Sequence, residues 1–156
     1  MFTSLKPTDF EALLASVDPA NQPAGTVATA WVPVQNFHTF LALIGTGVMG
    51  TNATLDAKIR QAQDASGTGA KDLPGKAITT IQAASGANVQ ALINFSNGDV
   101  DTNNGYAFVQ LSLTVGTAAS FVAAYLFGVG GRFDPPVDPS ASIPINLGDA
   151  SVVQIV

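Results

Sequence analysis

The hydrophobic rhythm of the chain changes once, near residue 25. Before it, Phe10, Leu13, Leu14 and Val17 recur at helical spacing, so residues 9–16 are predicted as a short helix with one apolar stripe. Thr8-Asp-Phe-Glu11 has the form of a capping box, in which the Thr8 hydroxyl accepts from the Glu11 backbone N–H and the Glu11 carboxylate from that of Thr8. Asp18-Pro19, then Asn21, Pro23 and Gly25, stop the helix and leave residues 1–24 as an N-terminal arm outside the main body.

After residue 25 the period is two. Residues 26–32 are a β-branched run that includes Trp31, and 37–44 are almost continuously apolar, as in a strand covered on both faces. Residues 53–63 fit both periods. A strand is preferred, because it sets Asp56, Lys58 and Arg60 on one solvent face, where opposite charges can pair along the strand, and Leu55, Ala57 and Ile59 on the other. Residues 65–75 read as a long polar loop, followed by strands over 76–84, 87–96, 105–115 and 118–128. Gly116-Thr117 is a compact hairpin candidate. Three prolines between Arg132 and Ser140 cannot donate to a ladder, so the chain must leave the sheet there, and residues 151–156 form one further strand. The expected fold is all-β: an antiparallel β-sandwich or jelly roll of about eight strands over 25–130, with the N-terminal helix or arm before it and an extended C-terminal tail over 131–156.

Composition narrows the function. No charged residue lies between Asp18 and Asp56, and only Asp99 and Asp101 lie between Lys76 and Arg132. Such stretches suit packing better than catalysis. A net charge of -5 offers no basic patch for phosphates, which argues against nucleic acid. No apolar run approaches the roughly 18 residues of a membrane-spanning helix, so no membrane partner is expected. Without cysteine there is neither a disulfide framework nor a thiolate metal site. The first residues lack a basic segment followed by an apolar one, so no secretory signal is read and synthesis in a cytoplasm is expected.

Candidate motifs resolve the same way. Gly45-Thr-Gly47-Val-Met-Gly50 is a G-x-G-x-x-G after an apolar strand, but the alternating segment that follows is not the helix a dinucleotide site needs, so the glycines are read as a strand end or bulge and no cofactor is expected. Asp99-Val-Asp101-Thr-Asn103-Asn-Gly105 resembles the start of a calcium loop, yet its glycine falls one place late and Gln110 stands where a bidentate Glu is needed; a polar hairpin turn is preferred. His38 is the only histidine and has a structural reading. The sequons at Asn52 and Asn94 are read as chance, and Asp134 and Asp138 as solvated loop charges. Trp31, Phe37, Phe40, Phe95, Phe108, Phe121, Tyr125 and Phe127 could form a carbohydrate platform, but their alternating positions favour core packing. No catalytic or metal-ligating set has workable spacing, and no enzyme is expected.

The runs Thr26-Val-Ala-Thr-Ala-Trp31-Val, Phe37-His38, Ala53-Thr-Leu-Asp-Ala-Lys-Ile-Arg-Gln-Ala, Gly67-Thr-Gly-Ala-Lys-Asp-Leu-Pro-Gly-Lys-Ala-Ile78 and Thr114-Val-Gly-Thr-Ala-Ala-Ser120 resemble a family of small virion structural proteins of tailed bacteriophages and prophages. The likeness covers about residues 24–135, and the chain resembles in particular the head-associated proteins that decorate or cement capsids. It implies a β-rich, oligomeric, non-enzymatic subunit, expected as a homotrimer on the outer capsid surface, bound to the phage major capsid protein and made in the bacterial cytoplasm. Alternatives are a subunit of the head-to-tail junction or tail, and a carbohydrate-binding adhesion module. Terminal segments can add to a neighbour's sheet, so Phe2, Leu5, Phe10, Leu13, Leu14, Val152, Val153 and Ile155 are the expected interface residues.

Overall fold

The computed structural model describes residues 10–132, together with Pro7. Its strands are β1 (Glu11–Gln22), β2 (Gly25–Ala28), β3 (Val32–Pro33), β4 (Phe37–Met49), β5 (Thr54–Ala62), β6 (Lys71–Ala77), β7 (Ile81–Gln82), β8 (Gln90–Ser96), β9 (Phe108–Gly116) and β10 (Ser120–Gly131), with one helical turn, α1 (Ala83–Gly86), before β8. They form two antiparallel sheets. One has the order β1-β10-β4-β8 and the other β2-β9-β5-β6, with β3 extending β2 along β9 and β7 extending β6 along β5. Counted this way there are eight strands, two of them interrupted. Only β5 to β6 connects neighbours within a sheet; every other connection crosses to the opposite sheet, which is the winding of a jelly roll.

The break between β2 and β3 is repaired by one side chain. Buried Thr29 donates its backbone N–H to the Leu111 carbonyl at 3.0 Å and accepts the Leu111 N–H on its hydroxyl at 3.1 Å, so the ladder with β9 continues across the gap. Between the sheets lies one apolar core. Leu14, Val17, Phe40, Ile44, Ile93 and Leu126 supply it from the four-stranded sheet, and Leu55, Ile59, Leu73, Val109, Leu111 and Leu113 from the other. Phe40 stacks on Phe95 at 4.9 Å between ring centroids and meets Phe37 edge-on at 6.4 Å. Gly128 makes room for this cluster: a Cβ there would lie 2.5 Å from the Phe37 ring.

Three expectations are corrected. The helix over 9–16 is instead β1, paired with β10 from Glu11↔Val129 to Gln22↔Ser120, and residues 11–22 belong to the sandwich rather than to an arm. The reason is a register shift between Leu13 and Ala15, which inserts one residue into an alternating strand; buried positions then fall at 12, 14, 15 and 17, and that spacing imitates a helix. Gly116-Thr117 does not turn a hairpin, since β9 and β10 lie in different sheets; Thr117, at φ 68°, turns the chain from one sheet to the other. Part of the expected polar loop over 65–75 is β6, pinned by buried Leu73, and the strand read over 76–84 is divided among β6, β7 and α1. Thr8 of the capping box and the strand expected over 151–156 lie outside the described residues.

Candidate functional site

The outer faces of the two sheets differ in kind. On the sandwich's charged side, β5 and β6 carry Asp56, Lys58, Arg60 and Asp72, while Lys71 and Lys76 of β6 turn to Asp101 and Asp99. Lys58 donates to Asp72 at 2.7 Å, with Arg60 at 3.6 Å from the same carboxylate, and the Thr80 hydroxyl donates to Asp56. Lys58 and Arg60, expected to pair along β5, therefore pair across to β6. Thr26, Thr114, Ser112 and Gln110 complete a polar face of the ordinary solvated type.

The four-stranded sheet carries only Glu11 and Asp18 as charges, both on its edge strand β1. Its core side is apolar, as any sandwich requires. Its outer side is apolar too: cross-strand registers set Leu13, Phe127 and Leu41 in one row, ending at Asn94, and Tyr125, Leu43 and Leu92 in the next, beginning at Ser16. Ala123 and Gly45 follow, ending at Gln90. Leu92 is 59% and Phe121 50% exposed. Two shallow hollows lie on this face, one of about 440 Å³ beside Thr39, Leu41 and Val129, the other of about 270 Å³ where Gly45 and Gly47 lack side chains next to Phe121. The centre is apolar and the margin is polar through Ser16, Asn21, Gln90, Asn94 and Thr39, with charge at Glu11 and Asp18 on the edge strand and at Asp99 beside the first hollow.

The polar residues of the Asp99–Gly105 stretch are used inside the chain. Asp101 accepts from Lys71 at 2.7 Å and from the Asn104 amide at 2.8 Å, while its own N–H donates to buried Gln61 at 2.9 Å. Lys71 also lies over the Tyr106 ring, 4.0 Å from its centroid. The Lys71 ammonium and the Asn104 amide hold the Asp101 carboxyl below the usual range, and Asp101 in turn raises Lys71. Asp99 is lowered first by the Ser96 backbone N–H, at 2.7 Å, with Lys76 at 3.3 Å assisting. Asp64 is lowered by hydrogen bonds from Thr68, then from the Ser66 and Gly67 backbone. Among the described residues no three His, Cys, Asp or Glu side chains converge as a metal site. The stretch is also not a hairpin: it carries the chain from β8 in one sheet to β9 in the other through two 3-10 turns, over 97–99 and 102–104.

Other sequence candidates fall into structural places. The G-x-G-x-x-G stays extended in β4 to Met49, with no helix after it, and Gly47 faces Phe121 on β10. His38 is exposed on β4 beside Gly130. Asn94 is exposed on β8, and Asn52 sits in the turn before β5 at φ 57°. Trp31 packs against the loop at Gly67, and Phe37, Phe40 and Phe95 are core residues, whereas Phe121, Tyr125 and Phe127 look outward. Of the expected interface residues, Phe10 is 41% exposed and Leu13 stands on the outer face. Leu14 is corrected: it is buried in the core, because β1 presents alternate residues to opposite sides. Phe2, Leu5, Val152, Val153 and Ile155 lie outside the described residues. The outer positions of β4, β8 and β10 were not singled out from the sequence. Their signal was present in residues 121–129, where both alternating sets are apolar apart from the Tyr125 hydroxyl. No described helix is long and apolar enough to cross a membrane.

What these features define is a jelly-roll β-sandwich with one solvated face and one apolar face. No protein-family model matches the chain, and no curated protein matches it. Fourteen chains of solved structures do. Among them, a chain of the cowpea mosaic virus top component, a naturally occurring empty particle, is 12% identical at a TM-score of 0.42, covering 83% of this chain and 90% of that one. A CBM4 structure is 12% identical at 0.40, covering 80% and 88%. A chain of infectious bursal disease virus is 10% identical at 0.37, covering 81% of this chain and 33% of that one.

Proposed function

We propose that this protein is a non-enzymatic structural subunit of a virion, a decoration or cement protein on the outer capsid surface of a tailed bacteriophage. The observation that supports the reading is the outer face of the four-stranded sheet, an apolar surface whose central rows carry no charge and whose margin is polar, with Glu11 and Asp18 on its edge strand; this is the anatomy of a protein interface. A solvated module gains nothing from such a face. An assembly subunit gains cohesion with its neighbours, and the phage-family likeness of residues 24–135 points to the major capsid protein as one of them. The acidic balance of the chain suits the outside of a DNA-filled shell, where contact with phosphate is not required.

The test is a particle lacking the chain. Shells are expected to assemble without it and to lose resistance to heat, which purified protein added back restores. Unchanged resistance, with no shell density assignable to the chain, would sink the cement role. A copy number of six or twelve per particle instead of hundreds would move the protein to the head-to-tail junction or tail.

A further inference from the structure

We infer that the outer face of the four-stranded sheet is the seat of a second copy of this chain, packed face to face about a two-fold axis. The inference rests on reading that face as the assembly surface and names its occupant. Size is the first reason. The four strands have 12, 12, 13 and 7 residues, so at about 3.3 Å per residue and about 4.8 Å between strands the face covers about 700 Å². That is close to the roughly 800 Å² per partner of an interface of standard size.

Chemistry is the second reason. The central rows, Leu13, Phe127 and Leu41, then Tyr125, Leu43 and Leu92, contain no charge, so an occupant carrying charge at the contact would leave it desolvated and unpaired. The same face of another copy brings apolar centre onto apolar centre and polar margin onto polar margin, with the face's two β1 charges, Glu11 and Asp18, on the edge strand and outside the central rows. The polar sheet of this chain cannot serve, since it would press Asp56, Lys58 and Arg60 into the apolar rows. The face is therefore complementary to itself and not to the rest of the molecule, the condition for a closed two-fold contact rather than an open chain of subunits.

The full 156-residue chain is tested by sedimentation equilibrium across a concentration series. A dimer is expected at micromolar concentration. Leu43→Glu, in the central row, is expected to weaken it more than about a hundredfold, because a two-fold contact buries the added charge twice. Leu92→Glu substitutes the most exposed leucine of the face, where folding does not depend on it, and is expected to weaken the dimer while leaving the thermal midpoint of the monomer unchanged. Thr114→Glu, on the opposite sheet, is the control and is expected to leave the dimer intact. A wild-type monomer at all concentrations, a trimer, or a dimer indifferent to both glutamates would overturn the proposal. If the wild-type chain is monomeric but Leu43→Glu and Leu92→Glu abolish its binding to shells, the second copy is the wrong occupant and the assembly reading survives; if dimerisation is as expected and the chain binds no shell, the reverse holds.

Discussion

The two sheets share one core and part company on their outer sides. β5 and β6 spend outward positions on Asp56, Lys58, Arg60 and Asp72, which pair with one another or with Thr80, so that face is complete in water. β4, β8 and β10 carry no charge at all and place leucine, phenylalanine and tyrosine outward. The difference separates two uses of apolar residues. Those between the sheets hold the fold; those outside the four-stranded sheet are free to hold something else.

The largest expected effect tests that separation. Leu111→Ala, which empties a fully buried position between the sheets, is expected to cost about 2–5 kcal/mol in urea unfolding. Leu43→Ala on the outer face is expected to cost the isolated monomer about 1 kcal/mol or less. Equal losses would mean that the outer leucines serve the fold, and the contrast between the faces would collapse. Next is Thr29→Val, which keeps the shape but leaves the buried Leu111 N–H without its side-chain acceptor; about 1–3 kcal/mol is expected. A negligible loss would show that the broken strand β2/β3 does not depend on that hydroxyl.

Acid should act through three carboxylates in the loops at the ends of the strands. Asp64, Asp99 and Asp101 have folded-state values below the ordinary carboxylate value of 3.8, so the stability they contribute is complete above that range and is lost as pH falls through their lowered values. Lys71 has the opposite sense, contributing below its ordinary value of 10.5 and losing that contribution as pH rises through its raised one. The thermal midpoint is therefore expected to fall in acid, and Asp101→Asn to flatten part of that fall. An acid response untouched by Asp101→Asn would remove the Lys71 pair from its cause. The smallest effect belongs to Lys58→Ala, whose partner Asp72 is more than half exposed; below about 1 kcal/mol is expected, shrinking further in salt. A larger loss would make the charged face more than a solvated surface.

Much of the fold was legible because alternation is a local property. Residues 107–115 and 89–95 read directly as strands, and Leu55, Ala57 and Ile59 fall on the buried side of β5 as their spacing requires. β1 was misread for an equally local reason, since a single inserted residue turns a spacing of two into one of three. The connections were not legible. Gly116-Thr117 and the Asp99–Gly105 stretch have the residues of hairpin turns, and nothing in a turn states whether the next strand joins the same sheet or the other one. The candidate surface was half legible: uncharged strands were visible, but which of their residues look outward together was not.

By itself, then, the amino-acid order determined the two-residue period, the strand-breaking positions and the lack of charge along most of the chain. These depend on each residue and its near neighbours. Only the tertiary structure decided that β10 lies between β1 and β4, that Asp72 of β6 joins Lys58 and Arg60 of β5 on one side, and that Leu13, Leu41, Leu43, Leu92, Tyr125 and Phe127 form one surface. Those residues come from four separate stretches, brought together by pairing distant segments to bury the common core. The apolar outer face follows from that packing and cannot be read from any one strand.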